Sequence, residues 1–171
     1  MEKVDEHNFA FIDAQNLYKS LKNAGWKLDY HKFRKYLRKR YKIVKAIVFI
    51  GKQERYRQQY AAYHRAGFEL EFKEAVPYRR NDGKIDMKAN VDVDLTVGVL
   101  GKYNGHYDKA VVVSGDGDFL PLYSFLRRSG KLKAILIPSY DERPLVLDEQ
   151  ELREYRVFMD DPIEKTELLV G

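Results

Sequence analysis

Residues 110–119 read AVVVSGDGDF: four apolar residues, a serine, and two aspartates set among glycines. Ala110–Val113 is apolar at every position, which is how a strand covered on both faces reads. Gly115 and Gly117 fit a tight turn from strand to helix. Phe119–Arg128 then continues at helical period. A doubly covered strand running into a helix is a building unit of a layered α/β domain.

Working outward, Phe9–Ile12 (FAFI) is a second short buried run, and Leu17, Leu21 and Ala24 recur at helical spacing up to Gly25. Asp29 is placed to cap another helix, with Phe33, Tyr36, Leu37 and Tyr41 as its apolar stripe. Ile43–Ile50 (IVKAIVFI) is a β-branched strand, and Tyr56, Tyr60 and Tyr63 share one face of a third helix ending near Gly67. From Phe68 to Val76 the chain alternates, with Phe68, Leu70 and Phe72 against Glu69, Glu71 and Lys73. That pattern suits a half-exposed edge strand. Pro77–Met87 (PYRRNDGKIDM) reads as a polar loop, Val91–Tyr103 as a helix with Leu95 and Val99 inward, and Ala134–Ile137 as a fifth strand. The order β-α-α-β-α-β-α-β-α-β implies a three-layer α/β sandwich, with helices on both faces of a mainly parallel sheet of about five strands. A helix is expected around Glu149–Val157 and a loose tail over the last ten residues. With 171 residues and no repeat or linker, one domain is expected, its core spanning about 8–140 and its C-terminal helix and tail 141–171.

There is no cysteine, which excludes disulfides and cysteine-ligated zinc, haem or iron–sulfur sites. The N-terminal MEKVDEHNFAFID lacks the long apolar core of a signal peptide, and no stretch approaches the roughly 20 apolar residues of a membrane span. A cytoplasmic protein with no membrane partner is the expectation. The formal net charge is +5, unevenly spread: Lys32–Lys45 (KFRKYLRKRYKIVK) holds eight basic residues and no acid. A basic flank beside local acidic clusters suits an enzyme that handles nucleic acid with a divalent metal. The same run also reads as a solvated helix face.

Three acidic segments sit where such a fold places chemistry. Asp13 follows the first strand in FIDAQN, Asp116 and Asp118 follow the fourth, and Asp92 and Asp94 begin a helix in KANVDVDL. In an open parallel sheet, sites form at the carboxyl ends of strands where the strand order reverses. If the first and fourth strands are central neighbours, their acids converge there. Crowded carboxylates repel one another, and hard cations offset that cost through oxygen ligation. An acid-rich set with no cysteine and four scattered histidines favours Mg²⁺ or Mn²⁺ over zinc. Simpler roles stand beside this one. Asp13, Asp92 and Asp116 each suit a helix N-cap, and Asp94 suits a surface acid near a helix N-terminus. Gly-Asp-Gly-Asp carries two acids where one cap would suffice.

FIDAQNL, KANVDVDL and SGDGDFLPL, in that order, closely resemble the three signature segments of NYN-domain proteins of the LabA/DUF88 type. The resemblance covers roughly residues 8–140. It implies a PIN-like (Rossmann-like) fold related to the 5′-nuclease fold, and Mg²⁺- or Mn²⁺-dependent cleavage of RNA leaving 5′-phosphate and 3′-hydroxyl ends. Carried over by position, Asp13, Asp92, Asp116 and Asp118 are the catalytic and metal-binding acids, with Asp94 a less constant addition. Asn16 would orient a ligand or water, Ser114 would support the turn, and Lys88 would meet a substrate phosphate.

The expected reaction is in-line attack of water on an RNA phosphodiester, with no Ser, Cys or His nucleophile required. Arg79, Arg80, Lys88 and part of the basic run are expected to contact phosphates with little sequence choice, and Tyr78 to stack an unpaired base. A homodimer stays open. Asp92-Val93-Asp94-Leu95-Thr96 also spells D-x-D-x-T, as in haloacid-dehalogenase-like phosphatases, but that chemistry needs its first Asp at the tip of a buried strand. The other alternative is an RNA-binding or regulatory module with a silent site.

Overall fold

The computed structural model describes residues 5–170; the first four residues of the charged N-terminal segment and Gly171 lie outside it. Six strands form one sheet in the order β3-β2-β1-β6-β7-β8, and every neighbouring pair is parallel. They are β1 (Asn8–Asp13), β2 (Ile43–Gly51), β3 (Glu69–Lys73), β6 (Ala110–Val113), β7 (Leu132–Ile137) and β8 (Arg156–Phe158). β1 and β6 lie side by side at the centre, and β3 is an edge strand as its alternation predicts.

Side-chain alternation in β1 sorts the core into two halves. Ala10 and Ile12 face one layer, in which Leu17, Phe33, Tyr63 and Leu168 are buried. These come from α1 (Ala14–Asn23), α2 (Tyr30–Tyr41), α3 (Arg57–Arg65) and α6 (Pro162–Leu168). Phe9 and Phe11 face the other, with Leu95 of α4 (Asp92–Val97) and Leu122, Tyr123 and Leu126 of α5 (Leu120–Arg128). The stripe Phe33, Tyr36, Leu37 and Tyr41 is buried as its spacing requires, and Asp29 caps α2 by accepting from the Lys32 amide.

Four segments differ from their sequence reading. Pro77–Met87 is not a loop: β4 (Val76–Arg79) and β5 (Ile85–Lys88) form a separate antiparallel ribbon. Asp82-Gly83 supplies its turn, Gly83 adopting the left-handed φ of +80° that glycine tolerates. The expected helix at Glu149–Val157 is a 3-10 turn over Gln150–Tyr155 followed by β8, because Val157 and Phe158 complete the sheet against Leu136 and Ile137. The tail is ordered as α6, which Asp161 caps, with Pro162 at its first position, where a missing N–H costs nothing. Finally, the helix of 91–103 is α4 continued by a π turn, Gly98–Lys102, closed by the Tyr103 amide on the Gly98 carbonyl at 2.9 Å.

Candidate metal centre at the strand-order reversal

The chain leaves β1 for β2 and β3 on one side, then returns to β6 on the other. Loops after β1 and β6 therefore diverge and leave a crevice at their carboxyl ends. Asp13 is the last residue of β1 and is only 3% exposed. Its carboxylate accepts from the Asn16 amide at 3.2 Å, capping α1, and from the Ser114 hydroxyl at 3.2 Å. Ser114 Oγ in turn accepts from the Asp116 amide at 3.1 Å. Asn16 Oδ1 accepts from the Gly115 amide at 2.7 Å. The two central loops are thus bonded to each other through buried Ser114 and half-buried Asn16.

Asp92 arrives from the opposite direction. The segment before α4 crosses close over the end of β2, where a Cβ on Gly51 would lie 2.8 Å from the Ala89 Cβ. The helix and π turn then press on Phe49, whose ring would be 2.8 Å from a Cβ at Gly98. These close approaches bring the start of α4 onto the crevice. Oxygens of Asp13, Asp92 and Asp116 all lie within 4.8 Å of one another. The cap role assigned to Asp from sequence holds for Asp13 and for Asp116, which accepts from the Asp118 amide. It does not hold for Asp92: Val91 stands at its helix's cap position, and Asn90 Oδ1 accepts the Asp92 amide at 2.9 Å. Asn90 was missed in the sequence; an Asn two residues before an Asp is a short-range turn signal.

Burial and crowding set the electrostatics. The Asp13 carboxyl is pushed up to about 6, first by desolvation and then by the Asp92 and Asp116 charges, against the hydrogen bonds from Asn16 and Ser114. Asp92 is also raised, by burial and by Asp116 and Asp118, while Lys88 pulls it down. Among the described residues, no cation forms an ion pair with Asp13, Asp92 or Asp116. Oxygens up to 4.8 Å apart are wider than two Mg–O bonds of about 2.1 Å, so an ion here would hold some partners through water or draw them inward slightly. An all-oxygen set with room for water fits Mg²⁺ or Mn²⁺.

The other expected site residues are placed as follows. Asp118 is exposed at the rim of the crevice, close enough to raise Asp92. Asp94 points away, pairing with Lys73 at 2.9 Å on the edge strand, and lines a separate recess of about 250 Å³ with Phe49, Glu71 and Lys102. Lys88 ends β5 beside Asp92, whereas Arg79 and Arg80 sit farther out on the ribbon, Arg79 bonded to the Gly83 carbonyl and Arg80 paired with Asp82. Part of the basic run is committed elsewhere. Arg34 donates to the Gly67, Ile43 and Val44 carbonyls, Arg40 pairs with Glu164, and Lys45 with Glu69. Lys45, the last residue of the run, lies opposite Phe9 whereas Phe49 lies opposite Asp13, so the run stops four residues, about 13 Å, short of the acids along β2. Asp92 begins a helix, and the strand before it is an exposed ribbon strand, which removes the phosphatase reading of D-x-D-x-T.

Among curated proteins, none matches this chain. A crystal structure of a protein of unknown function from Vibrio parahaemolyticus shares the fold, with a TM-score of 0.72 over 99% of this chain and 100% of that one at 23% identity. No helix among the described residues is long and apolar enough to cross a membrane. The sequence profile of the NYN domain matches residues 9–151, which include all four crevice acids. With that match and an acid cluster at the reversal of a parallel α/β sheet, the chain belongs to the NYN domain family.

Proposed function

We propose that this protein is a divalent-metal-dependent ribonuclease of the LabA/DUF88-like branch, acting in a reducing, cytoplasmic compartment. The observation that carries the reading is the convergence of Asp13, Asp92 and Asp116 within 4.8 Å. NYN domains are PIN-like and belong with the nucleases, which agrees with this chemistry. A Mg²⁺ or Mn²⁺ ion bound there would supply charge for the phosphate and acidify water.

The chain's own residues do the rest. Asp13 and Asp116 are held in place through Ser114, and Asp92 is aimed by the Asn90 turn. Asp118 widens the acidic rim toward solvent. At neutral pH Asp13 is mostly ionised, because its carboxyl titrates near 6. Lys88, beside Asp92, meets a substrate phosphate as it enters, and Arg80 adds charge farther out.

Cleavage of labelled RNA, single-stranded and structured, in Mg²⁺, Mn²⁺ or EDTA tests the proposal. Cleavage with either metal, lost in EDTA and in Asp13→Asn, is the expected result. Equal cleavage by parent and Asp13→Asn would overturn it. RNA binding without cleavage under any metal would make the chain a binding module.

A further inference from the structure

The β4–β5 ribbon is the least covered part of the molecule: every residue from Val76 to Arg79 and from Ile85 to Lys88 is exposed. A lone two-stranded ribbon is marginally stable in water, and Ile85 (67% exposed) and Met87 (52%) are large apolar side chains left there in solvent. Its pairing register divides its side chains. Val76 pairs with Lys88, Pro77 with Met87, Tyr78 with Asp86 and Arg79 with Ile85; the Arg80 amide bonds the Lys84 carbonyl at 2.8 Å. Residues directly opposite share a face, and faces alternate along the strand. One face therefore carries Arg80 and Lys84 at the tip, Tyr78 and Asp86 in the middle, and Val76 and Lys88 at the base. The other carries Arg79, Ile85, Pro77 and Met87.

The first face ends near the acids: Lys88 closes β5, the next residue, Ala89, lies against Gly51 at the end of β2, and Asp92 opens α4 four residues on. It presents cation, aromatic ring and cation in line, each pair about 7 Å from the next and about 14 Å from tip to base. Among the described residues, neither Lys84 nor Lys88 has an acidic partner within ion-pair distance, while Arg80 is partly spent on Asp82 and on Asp86, the acid of the same face. Alternating cations and an exposed ring match alternating phosphates and bases whose faces are free, which only an unpaired strand offers. A second copy of this chain fits this face poorly, since a two-fold contact would set its lysines against one another.

We propose that the Arg80/Lys84–Tyr78–Lys88 face of the ribbon is a track that grips single-stranded nucleic acid and leads it to the acid cluster. The proposal takes its direction of travel from the nuclease reading. It makes Tyr78 a stacking platform and Lys84 a phosphate contact, and it removes Arg79 to the opposite face.

Binding of a fluorescent single-stranded RNA and of the matching duplex is measured in EDTA across a salt series, so that no cleavage intervenes. Tyr78→Ala is expected to weaken single-strand binding about 5- to 150-fold, the loss of one stacked base, and to leave duplex binding unchanged. Tyr78→Phe should restore it. Lys84→Gln should reduce the log–log salt slope by about 0.7, and Arg79→Gln should not. Parental single-strand affinity in Tyr78→Ala, or an equal loss on both forms, would overturn the track. So would altered self-association of the ribbon variants by sedimentation with RNA affinity unchanged. Because Tyr78 is 42% exposed, its substitution should leave the thermal unfolding of the protein intact. Single-strand binding through Tyr78 without Mn²⁺-dependent cleavage would sink the nuclease reading alone; cleavage indifferent to Tyr78 would sink the track alone.

Discussion

Asp13 and Glu164 are almost equally buried, at 3% and 7% exposure, yet they sit in opposite electrostatic settings. Glu164 is neutralised from within the fold: Arg40 pairs with it at 2.8 Å and the Tyr36 hydroxyl donates to it, tying α6 to α2. Asp13 has two hydrogen bonds but no cation, and its nearest charges are two more carboxylates. A buried acid with its own counter-ion fastens two helices. A buried acid among acids is left wanting a charge from outside.

The largest expected effect falls on chemistry. Asn at 13, 92 or 116 should each reduce metal-dependent cleavage by at least about 100-fold, with double variants far from multiplicative, because residues acting as one unit are non-additive. Asp94→Asn, whose carboxylate faces Lys73, should cost far less. Initial rates on one labelled RNA check this, and a full-size loss at Asp94 would erase the distinction between crevice and recess. Next in size is the structural acid. Glu164→Ala should lower stability by about 2 kcal/mol, below the usual value for a broken buried pair because Arg40 is half exposed, and should leave Mn²⁺ binding intact. Denaturant melts with and without Mn²⁺ measure both quantities.

The opposite sign is expected at the crevice. Folding raises the Asp13 carboxyl from its ordinary range near 4 to about 6. The folded metal-free protein thus binds that proton more tightly than the unfolded chain does. Its contribution is fully present below about pH 4 and is lost as pH rises through 6. At pH 7.5 Asp13→Asn should stabilise the metal-free protein by about 1–3 kcal/mol, with the gain vanishing near pH 4. Added Mn²⁺ should stabilise the parent less below pH 6, where protons compete for the site, and Asp13→Asn hardly at all. Parent and variant melts on a pH grid decide it; a gain that persists at pH 4 would mean the strain is not ionic. The smallest effect is expected at Ser114→Ala, which removes the hydroxyl between Asp13 and Asp116 and should lower metal affinity with little change in fold.

These residues also show what the sequence could and could not reveal. Asp13 and Asp116 follow apolar runs, so their place at strand ends was legible, whereas the adjacency of those strands stood as a condition that the strand order meets. Their convergence with Asp92 was legible only in part, since it depends on Gly51 and Gly98 letting backbone and ring come within contact. The ribbon hid behind its brevity: Ile85 and Met87 alternate with Asp86 and Lys88, but four exposed residues are too few for that period to stand out, and Asp82-Gly83 was the other signal. β8 hid for the same reason, its three residues being too short to show any period. The basic run could not be placed from sequence because density of charge says nothing of direction; most of it lies on α2, which ends just before β2 opens at Ile43.

The Ser114–Asp13 bond joins residues 101 apart in the chain, and so does the central strand pairing that brackets it. Closing so long a loop is an entropic cost met before any of its contacts form, and such non-local pairing slows folding. Helices α1 to α3 and the β1–β2 pair can assemble from the first part of the chain, but the crevice exists only once β6 slots in beside β1. A nascent chain therefore carries Asp13 for most of its synthesis with nothing to gather metal around it. The acid cluster is among the last features to form, and a destabilised protein would surrender it while much of its helix content remains.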